Sequence, residues 1–277
     1  MIKIFVDSGS SIRPEEKEKY GVEILPLKIF IGEKEFDDGE DLKSDDFYKY
    51  LIQDGIFPKT SLPSLGEAEK RVKKCLAEGD QVIIISISSG ISGTYSALKM
   101  LFENEPDVRV IDSLTGAGGI KLLINEANKH LSESLDDVVK HIEELIPRIR
   151  VIVVPETLEY LHRGGRLSRT AMTVGSLLQL KPVLTLGGED GKVKALGKER
   201  GLNKAIQKVA DTLESENCDP AFGIFPIYTY NKDNADAVIA RTNEKFRDHI
   251  IDYDHVAHAI ACHLGPNAFG YIFVVKK

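Results

Sequence analysis

Residues 81–95 read QVIIISISSGISGTY, an apolar run that passes directly into a turn rich in serine and glycine. A short continuous apolar run bounded by turn residues is typical of a buried β-strand. The residues that follow, GTYSALKMLFEN, have the composition of a helix. A buried strand followed by a polar turn and a helix is the repeating unit of a parallel sheet. This stretch therefore predicts an α/β fold.

The same order of strand, turn and helix recurs through the first half of the chain, where IKIFV (residues 2–6) and VRVID (residues 108–112) are further candidate strands. Repeated units of this kind predict a Rossmann-like parallel sheet covered by helices on both faces. We assign this part to an N-terminal α/β domain, residues 1–148.

The pattern changes near RIRVIVVP, residues 148–155. Two extended stretches, KPVLTL and KVKALGKE, flank the turn GGEDGK and predict a β-hairpin. Helices are predicted over residues 170–178, 202–214 and 233–246, and a last strand over the C-terminal GYIFVVKK. We assign residues 149–277 to a C-terminal α+β domain.

The composition excludes several classes of protein. The chain has 277 residues, a net charge of −7 and no tryptophan, so neither a basic nucleic-acid surface nor a base-stacking platform is expected. Its three cysteines are far apart and form no CxxC pair, which argues against disulfides and favours a reducing compartment. No signal peptide or membrane-spanning run is evident, and we expect a cytoplasmic protein.

Three turns that follow candidate strands are rich in small polar residues: Asp7–Ser11, Ser86–Tyr95 and Asp112–Gly119. In a parallel sheet, ligands bind at the carboxyl ends of the strands. Free N–H groups at the start of a helix, with serine or threonine hydroxyls, favour a carboxylate or a phosphate. Each turn alone is equally explained by ordinary helix capping, but together they predict an anion site that includes Gly93, Thr94 and Ser113.

Ser92 admits a second interpretation, as the nucleophile of a serine hydrolase or acyltransferase. The hydrolase motif G-x-S-x-G is incomplete, because Thr94 stands where the second glycine belongs. The histidines at 255, 258 and 263 nevertheless offer candidate bases. A protein that binds only a small anion is a further possibility. No G-x-G-x-x-G or GxxxxGK[ST] motif points to a nucleotide cofactor, and we expect no cofactor.

Further candidates lie outside these turns. Thr60 and Ser61, in the proline-bounded loop FPKTSLPS, either cap the next helix or point into a cleft. Arg163 and Arg166 flank two glycines and present guanidinium groups suited to an anion, unless they are simply solvated. His255 and His258 have a spacing that can bind a metal on a helix, but no carboxylate motif completes the site, so we expect no bound metal.

Taken in order, seven segments resemble the DegV family: VDSGSS, TSLPS, ISSGISGTYSA, VIDS, LEYLHRGGRLS, KPVL and HLGPNAFG. They extend from residue 6 to residue 270, and the pair SSGISGTY and LHRGGRLS is the most specific part of the match. The resemblance implies a two-domain α/β fold with an apolar ligand tunnel between the domains and a bound long-chain fatty acid.

Proteins of this family act as the fatty-acid-binding subunit of a bacterial fatty acid kinase and present the acyl carboxylate to a separate catalytic subunit. By resemblance, the carboxylate would be held by Thr60 and Ser92, with His263 closing that end. The chain would then be a carrier with no catalytic residue of its own. Two positions depart from the family pattern: Ser11 replaces an aspartate and Leu62 replaces a glutamine. These departures weaken the expectation of a kinase partner more than that of lipid binding.

Overall fold

The computed structural model describes residues 1–167, 180–188 and 190–277. The described strands are β1 (Ile2–Asp7), β2 (Val22–Leu25), β3 (Lys28–Ile31), β4 (Lys34–Asp37), β5 (Lys59–Ser61), β6 (Gln81–Ser86), β7 (Val108–Asp112), β8 (Ile149–Val154), β9 (Leu180–Gly187), β10 (Lys192–Arg200), β11 (Phe225–Tyr228), β12 (Asp254–His255) and β13 (Phe269–Val274). The described α-helices are α1 (Lys17–Tyr20), α2 (Ser44–Tyr48), α3 (Leu65–Ala77), α4 (Thr94–Leu101), α5 (Gly118–His130), α6 (Leu135–Leu145), α7 (Glu159–Arg163), α8 (Leu202–Ser215), α9 (Asp233–Arg241), α10 (Glu244–Arg247) and α11 (His258–Leu264).

The N-terminal part forms a four-stranded parallel sheet in the order β2–β1–β6–β7. Its central strands are apolar because both faces are covered, and Phe5, Ile83 and Ile84 are almost completely buried. The parallel register brings the carboxyl ends of β1, β6 and β7 to one edge. The three polar turns therefore lie side by side.

The C-terminal part forms a mixed six-stranded sheet in the order β10–β9–β8–β13–β11–β12. The predicted hairpin is confirmed, since β9 and β10 pair antiparallel across the turn, with a bulge between Ala195 and Gly197. A small third sheet, β4–β3–β5, pairs Thr60 with Ile29 and so places the FPKTSLPS loop against the body of the protein. The predicted α/β class, with a parallel sheet followed by an α+β part, is confirmed.

One apolar cluster joins the two sheets. It includes Ile4 and Ile83 from the parallel sheet and Val151, Leu184 and Ile272 from the mixed sheet. Helices α5 and α6 contribute to the same cluster, and α5 contacts both β8 and β13. The division into an N-terminal domain, residues 1–148, and a C-terminal domain, residues 149–277, therefore stays a prediction.

Two helix predictions have different outcomes. The helix predicted over residues 233–246 is wrong as a single element, because Thr242 is extended (ψ 138°) and Asn243 caps a new helix by accepting from the Lys245 N–H. The helix predicted over residues 170–178 lies outside the described residues. In the part of the chain that the structure describes, no helix combines the length and apolar character needed to cross a membrane.

Candidate functional site

A cavity of about 290 Å³ lies where the two sheets face each other. This volume is close to the roughly 300–1,000 Å³ typical of small-molecule sites. Both parts of the chain supply the wall, which is mostly aliphatic. The apolar wall residues are Leu27, Leu62, Ile87, Ile91, Ala117, Val151, Val153, Leu161, Leu186, Val193, Ile227, Val256, Ala259, Ile260 and Leu264, and the others are Thr60, Ser61, Ser92, Gly93, Gly116, Arg166 and His263.

Four of the polar wall residues, Thr60, Ser92, Arg166 and His263, are called the polar group. Thr60, on the edge strand β5, and His263, near the end of α11, share a hydrogen bond of 2.8 Å between Oγ1 and Nε2. Arg166 Nε donates to the carbonyl of Ile91 at 3.1 Å, next to Ser92. The cavity therefore combines an aliphatic wall with one set of hydrogen-bonding side chains.

Ser92 lies in the turn between β6 and α4, where its N–H donates to the carbonyl of Ser88 at 3.1 Å. Its hydroxyl accepts from the Thr94 N–H at 3.2 Å and lies 2.8 Å from Thr94 Oγ1. Among the described residues, no histidine hydrogen-bonds to Ser92, and His263 is instead paired with Thr60. This geometry suits a binding hydroxyl better than an activated nucleophile.

His263 is neutral in this environment. Burial, aided by the positive charge of Arg166, lowers its pKa to about 4. A neutral imidazole can donate one hydrogen bond to an anion without forming an ion pair. The positive charge on the cavity wall is therefore that of the Arg166 guanidinium.

Gly164, in the HRGGR segment, allows the close approach of His263. A Cβ atom at this position would overlap Nδ1 of the His263 ring, whereas a Cβ at the neighbouring Gly165 meets nothing within 4 Å. The Arg166 guanidinium also donates to the carbonyl of Gly164. The first glycine of HRGGR therefore sets the position of two members of the polar group.

We predict that Gly164→Ala displaces the His263 ring and breaks its bond to Thr60. The affinity for an anionic ligand should fall roughly 2- to 10-fold, the value of one hydrogen bond. Gly165→Ala is the control, because it adds the same methyl group with nothing within 4 Å, and melting curves correct for the roughly 1–2 kcal/mol that alanine costs at this left-handed position, φ 71°. Titration calorimetry of both variants checks the prediction, and equal affinities would contradict it.

The structure separates the predicted site residues into two groups. Thr60, Ser61, Ser92, Gly93, Arg166 and His263 line the cavity. Thr94, Ser113 and Arg163 do not. Thr94 is buried and braces Ser92, and Ser113 is buried with its hydroxyl donating to the Thr115 carbonyl at 3.1 Å.

Arg163 points away from the cavity. It pairs with Glu159 at 2.7 Å and packs over the Phe57 ring, with 3.9 Å from its Cζ to the ring centroid. Thr94 and Ser113 therefore stabilise turns and Arg163 lies on the surface, outside the cavity wall, and contact of these three residues with a ligand stays a prediction.

The aliphatic wall was not predicted residue by residue. In the apolar segment 149–154, Val151 and Val153 face the cavity, whereas Ile152 and Val154 pack into a separate cluster with α8. Because both faces of β8 are buried, the sequence shows no alternation that would identify the wall side.

A second cavity of about 310 Å³ has a more polar lining that includes Asp38, Glu40, Ser44 and His258. Ser44 Oγ lies 2.8 Å from His258 Nε2, and Ser8 donates to Asp38 at 2.7 Å. Burial raises the pKa of Asp38 to about 7. This lining also holds Arg13 and Lys43, and it has few apolar side chains, so it offers little surface for burying an acyl chain.

The histidine pair at positions 255 and 258 does not share a helix. His255 belongs to β12 and His258 begins α11. The neighbouring carboxylate of Asp254 is occupied by a buried ion pair with Lys121, at 2.7 Å. A metal site built on these two histidines is therefore not formed.

Comparison with known proteins places the fold and the cavity in context. The family model described as "Uncharacterised protein, DegV family" matches residues 1–276. A DegV domain-containing protein of Caldanaerobacter subterraneus subsp. tengcongensis is 35% identical over 284 residues, covering 99% of each chain.

Two solved structures are similar over nearly the whole chain. A fatty acid binding DegV family protein of Streptococcus agalactiae superposes with a TM-score of 0.89 at 28% identity, covering 100% of this chain and 99% of the other. A stearic-acid-binding protein of Eubacterium ventriosum gives a TM-score of 0.85 at 27% identity, with the same coverage.

Proposed function

The chain belongs to the DegV family, and on that premise we propose that it binds a long-chain fatty acid in the aliphatic cavity and presents the carboxylate to a fatty acid kinase. The observation that carries this proposal is the composition of the cavity wall. The polar group, Thr60, Ser92, Arg166 and His263, interrupts a wall that is mostly aliphatic. Fatty acids are the ligands of the similar proteins from S. agalactiae and E. ventriosum.

The aliphatic wall would supply most of the affinity. Burying one methylene group contributes about 0.8 kcal/mol, so a chain of roughly 14 methylenes contributes on the order of 10 kcal/mol before the costs of association. A hydrogen bond to a charged group contributes only about 1.5–3 kcal/mol. Burial of the chain therefore determines how tightly the lipid binds.

The polar group would determine which end of the lipid lies where. When the single N–H of neutral His263 donates to Thr60 through Nε2, the Thr60 hydroxyl is free to donate to a carboxylate together with that of Ser92, and Arg166 provides a compensating charge. Arg166 already donates to the carbonyls of Ile91 and Gly164, so the hydroxyl donors hold the carboxylate oxygens less tightly than a bidentate arginine contact would. A carboxylate held in this way can attack a phosphoryl group when a kinase brings one to it.

We propose that the chain is a carrier subunit in the cytoplasm, with the fatty acid kinase catalytic subunit as its partner. Arg163 is exposed on the same short segment as Arg166 but is paired with Glu159 at 2.7 Å, so an approaching acidic partner would compete with Glu159 for it. In this role the protein takes part in acyl-phosphate formation for phospholipid synthesis without catalysing the transfer itself.

Mass spectrometry of small molecules extracted from natively purified protein tests the proposal. We expect a long-chain fatty acid in about one equivalent per chain, and binding of the same lipid by delipidated protein. Adding a fatty acid kinase catalytic subunit and ATP should then yield acyl phosphate. Failure of delipidated protein to bind any fatty acid would overturn lipid binding, whereas binding without phosphorylation would overturn only the kinase partnership.

A further inference from the structure

Four side chains with metal-ligand atoms meet at the hairpin between α5 and α6, far from the lipid cavity. Glu126 and His130 are four residues apart on α5 and so share one face of the helix. His141 reaches them from α6, and Glu133 lies in the connecting turn. One ligand atom from each of Glu126, His130 and His141 lies within 4.8 Å of the other two.

The two imidazole rings are held together in an unusual arrangement. They stack with centroids 3.6 Å apart and an interplanar angle of 12°. Glu133 contacts both rings, at 2.7 Å from His130 Nδ1 and 3.2 Å from His141 Nε2. The other nitrogen of His130, Nε2, faces Glu126 Oε1 at 3.6 Å.

We propose that Glu126, His130 and His141 bind a zinc ion. Neutral imidazole nitrogens and carboxylate oxygens are the donors that Zn²⁺ takes at about 2.0–2.2 Å, and tetrahedral ligands at such bond lengths lie roughly 3.3 Å apart. The present separations reach up to 4.8 Å, so the ligand atoms must move closer, and the two stacked rings must rotate out of their parallel arrangement before their in-plane lone pairs converge on one ion. Two histidines and one glutamate leave the fourth position to water.

Glu133 does not bind the zinc itself but would orient the ligand His130 by accepting a hydrogen bond from its ring. Ligand histidines commonly donate their second ring N–H to a carboxylate, which orients the ring and makes it a better donor. His130 already has this arrangement, with Nδ1 on Glu133 and Nε2 facing Glu126. On metal binding, the hydrogen bond between His141 Nε2 and Glu133 breaks and His141 binds the zinc instead. The Glu126 carboxylate likewise leaves Lys129 Nζ, which is 2.7 Å away, to bind the zinc.

The site would act on stability rather than on lipid binding. Helix α5 follows directly after the cavity residue Ala117, and at 1.5 Å per residue Glu126 and His130 lie about 14 and about 20 Å further along its axis. Helices α5 and α6 pack in the cluster that joins the two sheets. A metal that ties these helices together therefore stabilises the common core.

Titration of untagged, chelator-treated protein with Zn²⁺ tests the site, and Co²⁺ absorption reports the coordination geometry. We expect one tight site per chain, tetrahedral Co²⁺ bands, and a melting temperature roughly 5–10 °C higher at a 100-fold excess over Kd. His141→Ala should weaken Zn²⁺ binding more than 100-fold, and Glu133→Gln by about 10- to 100-fold.

His249→Ala is the matched control, because His249 is exposed on the other part of the protein and should leave the affinity unchanged. Melting curves in EDTA confirm that each variant is folded. Zinc affinity that is equal in wild type and His141→Ala, or a site with thiolate-to-cobalt charge-transfer bands, would overturn the assignment.

Discussion

Replacing Val153 by tryptophan is expected to remove most fatty-acid binding while the protein stays folded. Val153 lies on β8, in the middle of the mixed sheet, and its side chain forms part of the cavity wall. An indole at this position would occupy space that the acyl chain needs. If it excludes four to five methylenes, the affinity falls by roughly 3–4 kcal/mol, or about 200- to 1,000-fold.

The substitution differs from ordinary overpacking because it points into an open cavity. Overpacking of a filled core costs about 1–3 kcal/mol, whereas filling a void avoids most of that strain. Val153→Ile is the matched control, since one added methylene should leave both stability and affinity close to those of wild type. Calorimetric titration of delipidated variants, with circular dichroism melts, measures both effects. Full lipid affinity in a folded Val153→Trp variant would show that the acyl chain lies elsewhere.

Parallel-sheet geometry explains why the position of the anion site was partly predictable. The carboxyl ends of neighbouring parallel strands share one edge, so Asp7, Ser86 and Asp112 had to be close in space. Whether each polar residue faces a ligand or stabilises a turn was not predictable from this geometry. Asp7 accepts from the N–H groups of Ile87 and Gly9, at 2.8 and 2.9 Å, and braces two turns instead of facing a ligand.

Turns that bind a ligand and turns that only satisfy their own backbone groups have the same composition. Serine, glycine and aspartate satisfy free backbone groups whether or not a ligand is also bound, so only the folded positions separate Ser92 from Ser113. The contact of Thr60 with His263 joins residues 203 positions apart. No local pattern predicts such a pair, and only the resemblance to the DegV family anticipated that both belong to one site.

Ser92→Ala is expected to weaken fatty-acid binding roughly 10- to 100-fold, the value of one hydrogen bond to a carboxylate. The loss should be specific to the charged head group, because the aliphatic wall is unchanged. A fatty-acid methyl ester, which carries no charge, should therefore lose much less affinity than the acid. The ratio of the two affinities, measured by titration of delipidated protein, isolates the contribution of Ser92.

Ser89→Ala is the matched control for this experiment, since Ser89 is in the same turn but is exposed and does not line the cavity. Removing the Ser92 hydroxyl also leaves the buried Thr94 without its partner, at a cost of about 1 kcal/mol in stability, so melting curves must accompany the titrations. An equal loss for the acid and the ester would mean that Ser92 shapes the turn and does not bind the carboxylate. A selective loss for the acid would assign the hydroxyl to the head group, because only the acid carries the charge that it is expected to contact.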